Sequence, residues 1–127
     1  MTMGRQDAIV DRLYRLQQAN PDIEASALVS LDGLIMASAL PEEAEEDRVS
    51  AMSAALLALS QRIAYELNRG YLDQVFIRGT EGDILLMAVG SDAVLTVMSR
   101  RDAKLGMMLY YMKRTAKELI QLIENNY

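Results

Sequence analysis

The sequence predicts an α+β domain with the element order α-β-β-α-β-β-β-α, its strands antiparallel and its helices lying on the faces of the sheet. Three observations predict it. Asp32-Gly33 separates two short apolar runs, a strong local signal for a hairpin. Further strand candidates follow one another across short connections, which force neighbours to pair antiparallel. Three segments repeat apolar residues at helical spacing, and the middle one divides the strands into two groups.

Gln6 to Ala19 places Ile9, Leu13 and Leu16 on one face, with Arg12, Arg15 and Gln17 opposite, and Asn20-Pro21 ends that helix. Ile23 to Leu31 and Leu34 to Ser38 are strands around a turn whose two central residues, Asp32 and Gly33, are expected at positive φ. Leu40 to Asp47 is a Pro-led acidic segment, read as a solvated loop and helix start because carboxylates favour the positive helix end. A long helix follows, about Asp47 to Asn68, closed near Gly70. Leu72 to Arg78, Asp83 to Val89 and Ala93 to Ser99 are strands. Asp102 is expected to cap a last helix reaching about Glu124, with Asn125-Asn126-Tyr127 as its frayed end.

The middle helix is apolar on too many sides. Val49, Met52, Leu56, Leu59, Ile63 and Leu67 form one stripe, expected to cover the chain's own sheet. Ala51, Ala54, Leu57, Ala58, Gln61 and Tyr65 occupy the opposite side, and no formal charge falls between Arg48 and Arg62. A lone helix on a sheet should turn charges outward. The small residues Ala51, Ala54 and Ala58 would let another helix approach closely, so this side is expected to meet the same helix of a second copy. The plainer alternative is an Ala-rich helix exposed because Ala favours helices. Leu72, Val75 and Ile77 mark the following strand as the second element of a dimer interface, since an apolar edge strand invites pairing.

Composition excludes several functions. The chain has 127 residues, enough for one domain (1–127, its core at about 6–124), and a net charge of −5 that disfavours nucleic acid and anionic membrane as partners. No apolar run approaches the length of a membrane span, and the N-terminal residues lead into a charged amphipathic segment unlike a secretory signal, so the expected location is cytoplasmic. There is no Cys and no His, which removes the usual zinc ligands, thiol nucleophiles and the commonest proton carrier. No metal or cofactor is expected.

No catalytic residue is assigned. The carboxylate pairs Glu42/Glu43, Glu45/Glu46 and Glu81/Asp83 sit in polar, loop-like surroundings where nothing would drive two pKa values apart. The Gly79-Thr80-Glu81-Gly82 and Gly90-Ser91-Asp92 turns lack the Lys of a phosphate loop. Serines have only Lys104, Lys113 and Lys117 as conceivable bases, all in the last helix. Arg48, Arg62 and Arg69 on or beside the long helix suit the rim of an interface, with an arginine finger as the sharper alternative. The Met residues read as adaptable core filler. Met107, Met108, Tyr110 and Tyr111 offer an alternative second contact surface.

Ala27-Leu28-Val29-Ser30-Leu31-Asp32-Gly33-Leu34-Ile35-Met36-Ala37-Ser38, the helix around Met52 to Ser60, and Ala93 to Val97 followed by Asp102-Ala103-Lys104-Leu105-Gly106 together resemble the Roadblock/dynein light-chain family, in its bacterial MglB-like branch. The resemblance covers about residues 6–124 and rests on the run of segments in order. It implies a profilin/longin-like five-stranded antiparallel sheet, with the first and last helices on one face and the long helix on the other. It also implies a homodimer built on Ala51, Ala54, Leu57, Ala58, Gln61, Tyr65, Leu72, Val75 and Ile77. The implied role is a non-catalytic regulator or adaptor of a small Ras-like GTPase, docked near Arg48, Ala55, Arg62 and Arg69, with stimulation of GTP hydrolysis as one outcome. Two other readings stay open: a PAS- or profilin-like module sensing a small ligand, and a pure assembly subunit of the dynein light-chain type.

Overall fold

A computed structural model describes residues 4–124, and the expected Asn125–Tyr127 end lies outside the described residues. The eight elements run α1 (Arg5–Ala19), β1 (Ile23–Ser30), β2 (Ile35–Ala39), α2 (Glu46–Glu66), β3 (Gln74–Arg78), β4 (Gly82–Val89), β5 (Ala93–Arg100) and α3 (Leu105–Glu124). The five strands form one sheet in the order β2-β1-β5-β4-β3, antiparallel at every pairing. This is the α+β architecture expected, with β2 and β3 at the edges.

Each helix ends for a local reason. α1 stops at Asn20, whose extended backbone precedes Pro21 and whose N–H still reaches Leu16 O. α2 closes with Asn68 in the left-handed region (φ 58°). The Asn68 N–H donates to Tyr65 O and the Arg69 N–H to Ala64 O, the paired bonds of a Schellman ending. Gly70 lies beyond that ending and is not the cap itself.

Two turn expectations are corrected. Asp102 does not cap α3. It sits at φ 66°, inside the β5–α3 turn, and the helix begins three residues later. An N-cap needs extended backbone to aim its side chain at the first free amides, and a left-handed residue cannot supply that. In the first hairpin Gly33 alone takes positive φ (87°), because the loop has three residues, not two. Ser30 O accepts from the Gly33 N–H, and the Ser30 N–H donates to Leu34 O.

The sheet separates two cores. On one face α1 and α3 pack against each other and bury Ile9, Leu13, Leu16, Met108, Met112 and Leu119 over Leu28, Leu85 and Leu95. On the other, α2 alone covers Ala27, Val29, Leu86 and Val94 with Leu57. The second core is thin and made of small residues, so α2 rides close to the strands. Within it the Thr96 hydroxyl donates to the Ser53 hydroxyl at 2.9 Å, a buried link from β5 to α2. At the sheet's end, Arg100 Nε donates to the Asp22 carboxylate, and this bond and charge hold the guanidinium above its ordinary value.

The Ser53–Thr96 pair makes a clear expectation. Ser53→Ala or Thr96→Val alone strands one buried hydroxyl and costs about 1–3 kcal/mol. The double variant costs less than the sum of the two, and urea unfolding of all four proteins measures the difference.

Candidate functional site

α2 sits with the opposite orientation to the one its hydrophobic pattern suggests. Ser50, Ser53, Ala54 and Leu57 face the sheet and are buried, Leu57 completely. The stripe expected to cover the sheet points largely away from it: Met52 is 58% exposed, Leu59 57%, Ile63 49% and Leu67 64%. Ala54 and Leu57 are therefore corrected from partner-facing to core positions of the chain itself. The physical reason is size. The strands beneath α2 need small side chains for close approach, so a serine-and-alanine line goes inward and the larger residues go out. The signal that could have shown this is the spacing of Ser50, Ser53, Ala54 and Leu57, which hydropathy alone ranks too low.

The other positions singled out in the sequence are distributed around this helix. Ala51 and Ala54 pack beside the first hairpin, where a Cβ on Gly33 would lie 3.7 Å from Ala51 Cα and 3.9 Å from Ala54 Cβ. Ala55, Ala58 and Gln61 are exposed. Gln61, Tyr65 and Leu72 come together with Asn68, Tyr71 and Ala88 around an open depression of about 800 Å³. Val75 is half-buried in the α2-side core. Ile77 joins a different hollow.

That hollow runs between α2 and the strands. Val49, Met52 and Leu56 form one wall and Ile77, Ile84, Leu86 and Met98 the other, enclosing about 280 Å³ with almost no polar surface. α2 lies chiefly across β1, β2 and β5. The α2 side of β3 is thus less covered, and the open edge of β3 adjoins it. A hydrophobic outer helix face, an apolar hollow and a free strand edge adjoin one another.

The cationic side chains frame this surface. Arg48, Ala55 and Arg62 are spaced seven residues apart and share one outward line. Arg48 Nε lies 3.4 Å from Glu45 and Arg62 Nε 3.0 Å from Glu66, both pairs well exposed. Arg69 follows the helix end and has no such pair among the described residues. The Glu81/Asp83 pair lies elsewhere, in a polar hollow of about 490 Å³ with Arg78 and Arg101. Asp83 there is buried, 3.7 Å from Arg78. Among the described residues no group of acidic side chains is placed to hold a metal ion, and no helix is long and apolar enough to cross a membrane.

A five-stranded antiparallel sheet with two helices on one face and a lone, outwardly apolar helix on the other defines a profilin-like scaffold whose exposed helix is its distinctive surface. The sequence profile of the Roadblock/LC7 domain matches residues 9–99, and the chain belongs to that family. It is 32% identical over 111 residues to the Methanocaldococcus jannaschii protein MJ1340, spanning 87% of this chain and 96% of that one. Its fold superimposes on Myxococcus xanthus MglB with a TM-score of 0.87 at 21% identity, covering 98% of this chain and 93% of that one. Schizosaccharomyces pombe profilin shares the scaffold more distantly, with a TM-score of 0.65 at 12% identity over 93% of this chain and 98% of profilin.

The face assignment is open to direct test. Leu57→Ala costs about 2–5 kcal/mol of folding stability, the usual range for emptying a buried leucine site. Ala54→Glu abolishes cooperative unfolding, because it would bury a charge under α2. Ala58→Glu, on the exposed side, leaves the domain folded. Circular dichroism and urea titration separate the three outcomes.

Proposed function

We propose that this chain is a homodimeric adaptor that binds a small Ras-like GTPase and regulates it without contributing an active site. One observation carries the reading: α2 turns Met52, Leu59, Ile63 and Leu67 outward, next to the apolar hollow under Leu56 and the free edge of β3. Each such side chain is worth roughly 1.5–3 kcal/mol when moved fully from water into a packed interface. Several together on one small domain mark a contact surface.

A second copy is the simplest occupant. Two-fold pairing of α2 with α2 would bury the apolar stripe, and pairing of β3 with β3 would satisfy the backbone groups of both open edges. Ala51, Ala58, Gln61, Tyr65, Leu72, Val75 and Ile77 flank or adjoin that surface. Ala54 and Leu57 contribute only by shaping the helix that presents it.

The GTPase is the partner class that the Roadblock resemblance implies. Its docking surface is placed along the outermost line of α2, Arg48–Ala55–Arg62, and at Arg69 beyond the helix end. The ion pairs of Arg48 and Arg62 with Glu45 and Glu66 favour a rim role over an arginine finger. Any stimulation of hydrolysis would act by pressing on the GTPase's own switch segments. Cytoplasmic location accords with such a partner.

A small-ligand sensor would need polar groups converging on its cavity. The apolar hollow offers Ser53 and Thr96, whose hydroxyls already bond to each other. An assembly subunit without effect on hydrolysis differs from the proposed regulator only in the assay below.

In sedimentation at working concentration the protein is expected at twice its protomer mass. Leu59→Glu with Ile63→Glu should give a folded protomer that no longer pairs; a wild-type protomer with no tendency to pair would sink the dimer. For the regulatory step, turnover of a GTPase encoded beside this chain is measured with Arg48→Ala, Arg62→Ala and Arg69→Ala separately. Less than tenfold change for each is expected. A collapse for one variant with binding intact would reveal an arginine finger, and no stimulation by the wild type would leave a scaffold.

A further inference from the structure

The face of the molecule away from α2 carries a charge asymmetry that the adaptor role does not use. The chain has 18 acidic residues against 13 basic ones, yet no acid occurs from Ala103 to Lys117. All of its lysines, Lys104, Lys113 and Lys117, lie at or on α3, together with Arg114, and all four are exposed. Most described arginines outside α3 have a carboxylate beside them: Arg12 with Asp11 and Glu118, Arg15 with Asp11, Arg48 with Glu45, Arg62 with Glu66, Arg78 with Asp83 and Arg100 with Asp22. Lys104, Lys113, Arg114 and Lys117 have none within 4.0 Å among the described residues.

Geometry gathers three of these cations, Lys113, Arg114 and Lys117, on one side of α3. Residues 107, 110, 114 and 117 recur at helical spacing, and Tyr110, Lys113, Arg114 and Lys117 line a shallow groove of about 280 Å³. Tyr110 supplies the groove's aromatic lining, and Tyr111 packs beside it against the core. The Tyr110 and Tyr111 rings meet edge to face at 5.2 Å, and the Arg114 guanidinium lies 5.1 Å from the Tyr111 ring centre. Met107, three residues before Tyr110 on the helix, is exposed as well. Tyr, Met and Arg are the residues enriched where proteins meet.

The complementary surface exists on the same chain. From the loop after β2 into the first turn of α2, Glu42, Glu43, Glu45, Glu46 and Asp47 are all exposed. Glu45 is engaged by Arg48 and Glu46 by the Ser38 hydroxyl. Glu42, Glu43 and Asp47 have no cation within 4.0 Å among the described residues. This segment leads into α2, on the sheet face opposite α3, so the two patches of one protomer do not meet.

We propose that the α3 groove docks the acidic segment of another copy, Glu42 to Asp47, in a head-to-tail contact separate from the α2–β3 surface. Such a contact joins unlike patches. Two copies joined this way still carry one free patch each, so further copies can add, in a ring if the rotation closes and in an open chain if it does not. The contact is electrostatic and exposed, so each ion pair is weak and salt-sensitive.

Sedimentation velocity at low ionic strength and at about 0.5 M NaCl tests this, because the screening length falls well below 10 Å at the higher salt. The average mass should rise with protein concentration at low salt and return to the basic species at high salt. Lys113→Glu with Lys117→Glu, and separately Glu42→Lys with Glu43→Lys, should each weaken growth at least tenfold. Mixing the two variants should restore it, since each reversed patch then meets its complement. Neither changes the high-salt species, whereas Leu59→Glu with Ile63→Glu does, so failure here is distinguishable from failure of the dimer. Growth that ignores salt, or single variants that assemble like wild type, overturns the proposal. So does failure of the mixture to recover, or an α3 face that binds phosphatidylserine vesicles without self-association.

Discussion

Close approach of α2 to the sheet is the constraint on which the rest depends. Ala27, Val29 and Val94 leave little height above the strands, and Ser50, Ser53 and Ala54 are small enough to occupy it. Only Leu57 inserts fully, and the Ser53–Thr96 hydrogen bond holds the helix at that depth. Because the inward line is spent on small residues, the helix's bulk of hydrocarbon goes outward. The exposed stripe is thus a consequence of how the domain packs.

Much of the fold was legible because local signals and global pattern agree. Gly33 and Asn20-Pro21 punctuate the chain where the structure turns, and Ile9, Leu13 and Leu16 are buried as their spacing predicts. The last helix follows its period equally well, with Met108, Met112 and Leu119 wholly buried. Those helices pack against large side chains, for which hydropathy is a good guide to direction.

The site was less legible, and α2 shows why. Periodicity finds that a helix has two apolar sides but not which side lies down. The larger hydrophobes look like the natural core, yet surface shape beneath the helix decides, and that shape belongs to strands distant in sequence. Asp102 misled for a related reason. Its residue type suits a cap, but β5 runs one residue further than expected, to Arg100, and the following turn claims Asp102 in a left-handed conformation. The hairpin at Asp32-Gly33 was found by its residues and mistaken only in its loop length.

The two margins of the sheet are unlike each other. β2 meets its neighbour through an irregular register between Leu28 and Val29, and two residues past its end comes Pro41 with its train of carboxylates. Proline offers no amide, and dense negative charge resists stacking of like strands. β3 has neither obstacle along Gln74–Arg78. Of the two rims, the one at β3 is therefore the less obstructed to added extended chain. A domain with one obstructed rim has at most one through which its sheet could lengthen, which limits the cross-β stacking open to domains exposed at both ends.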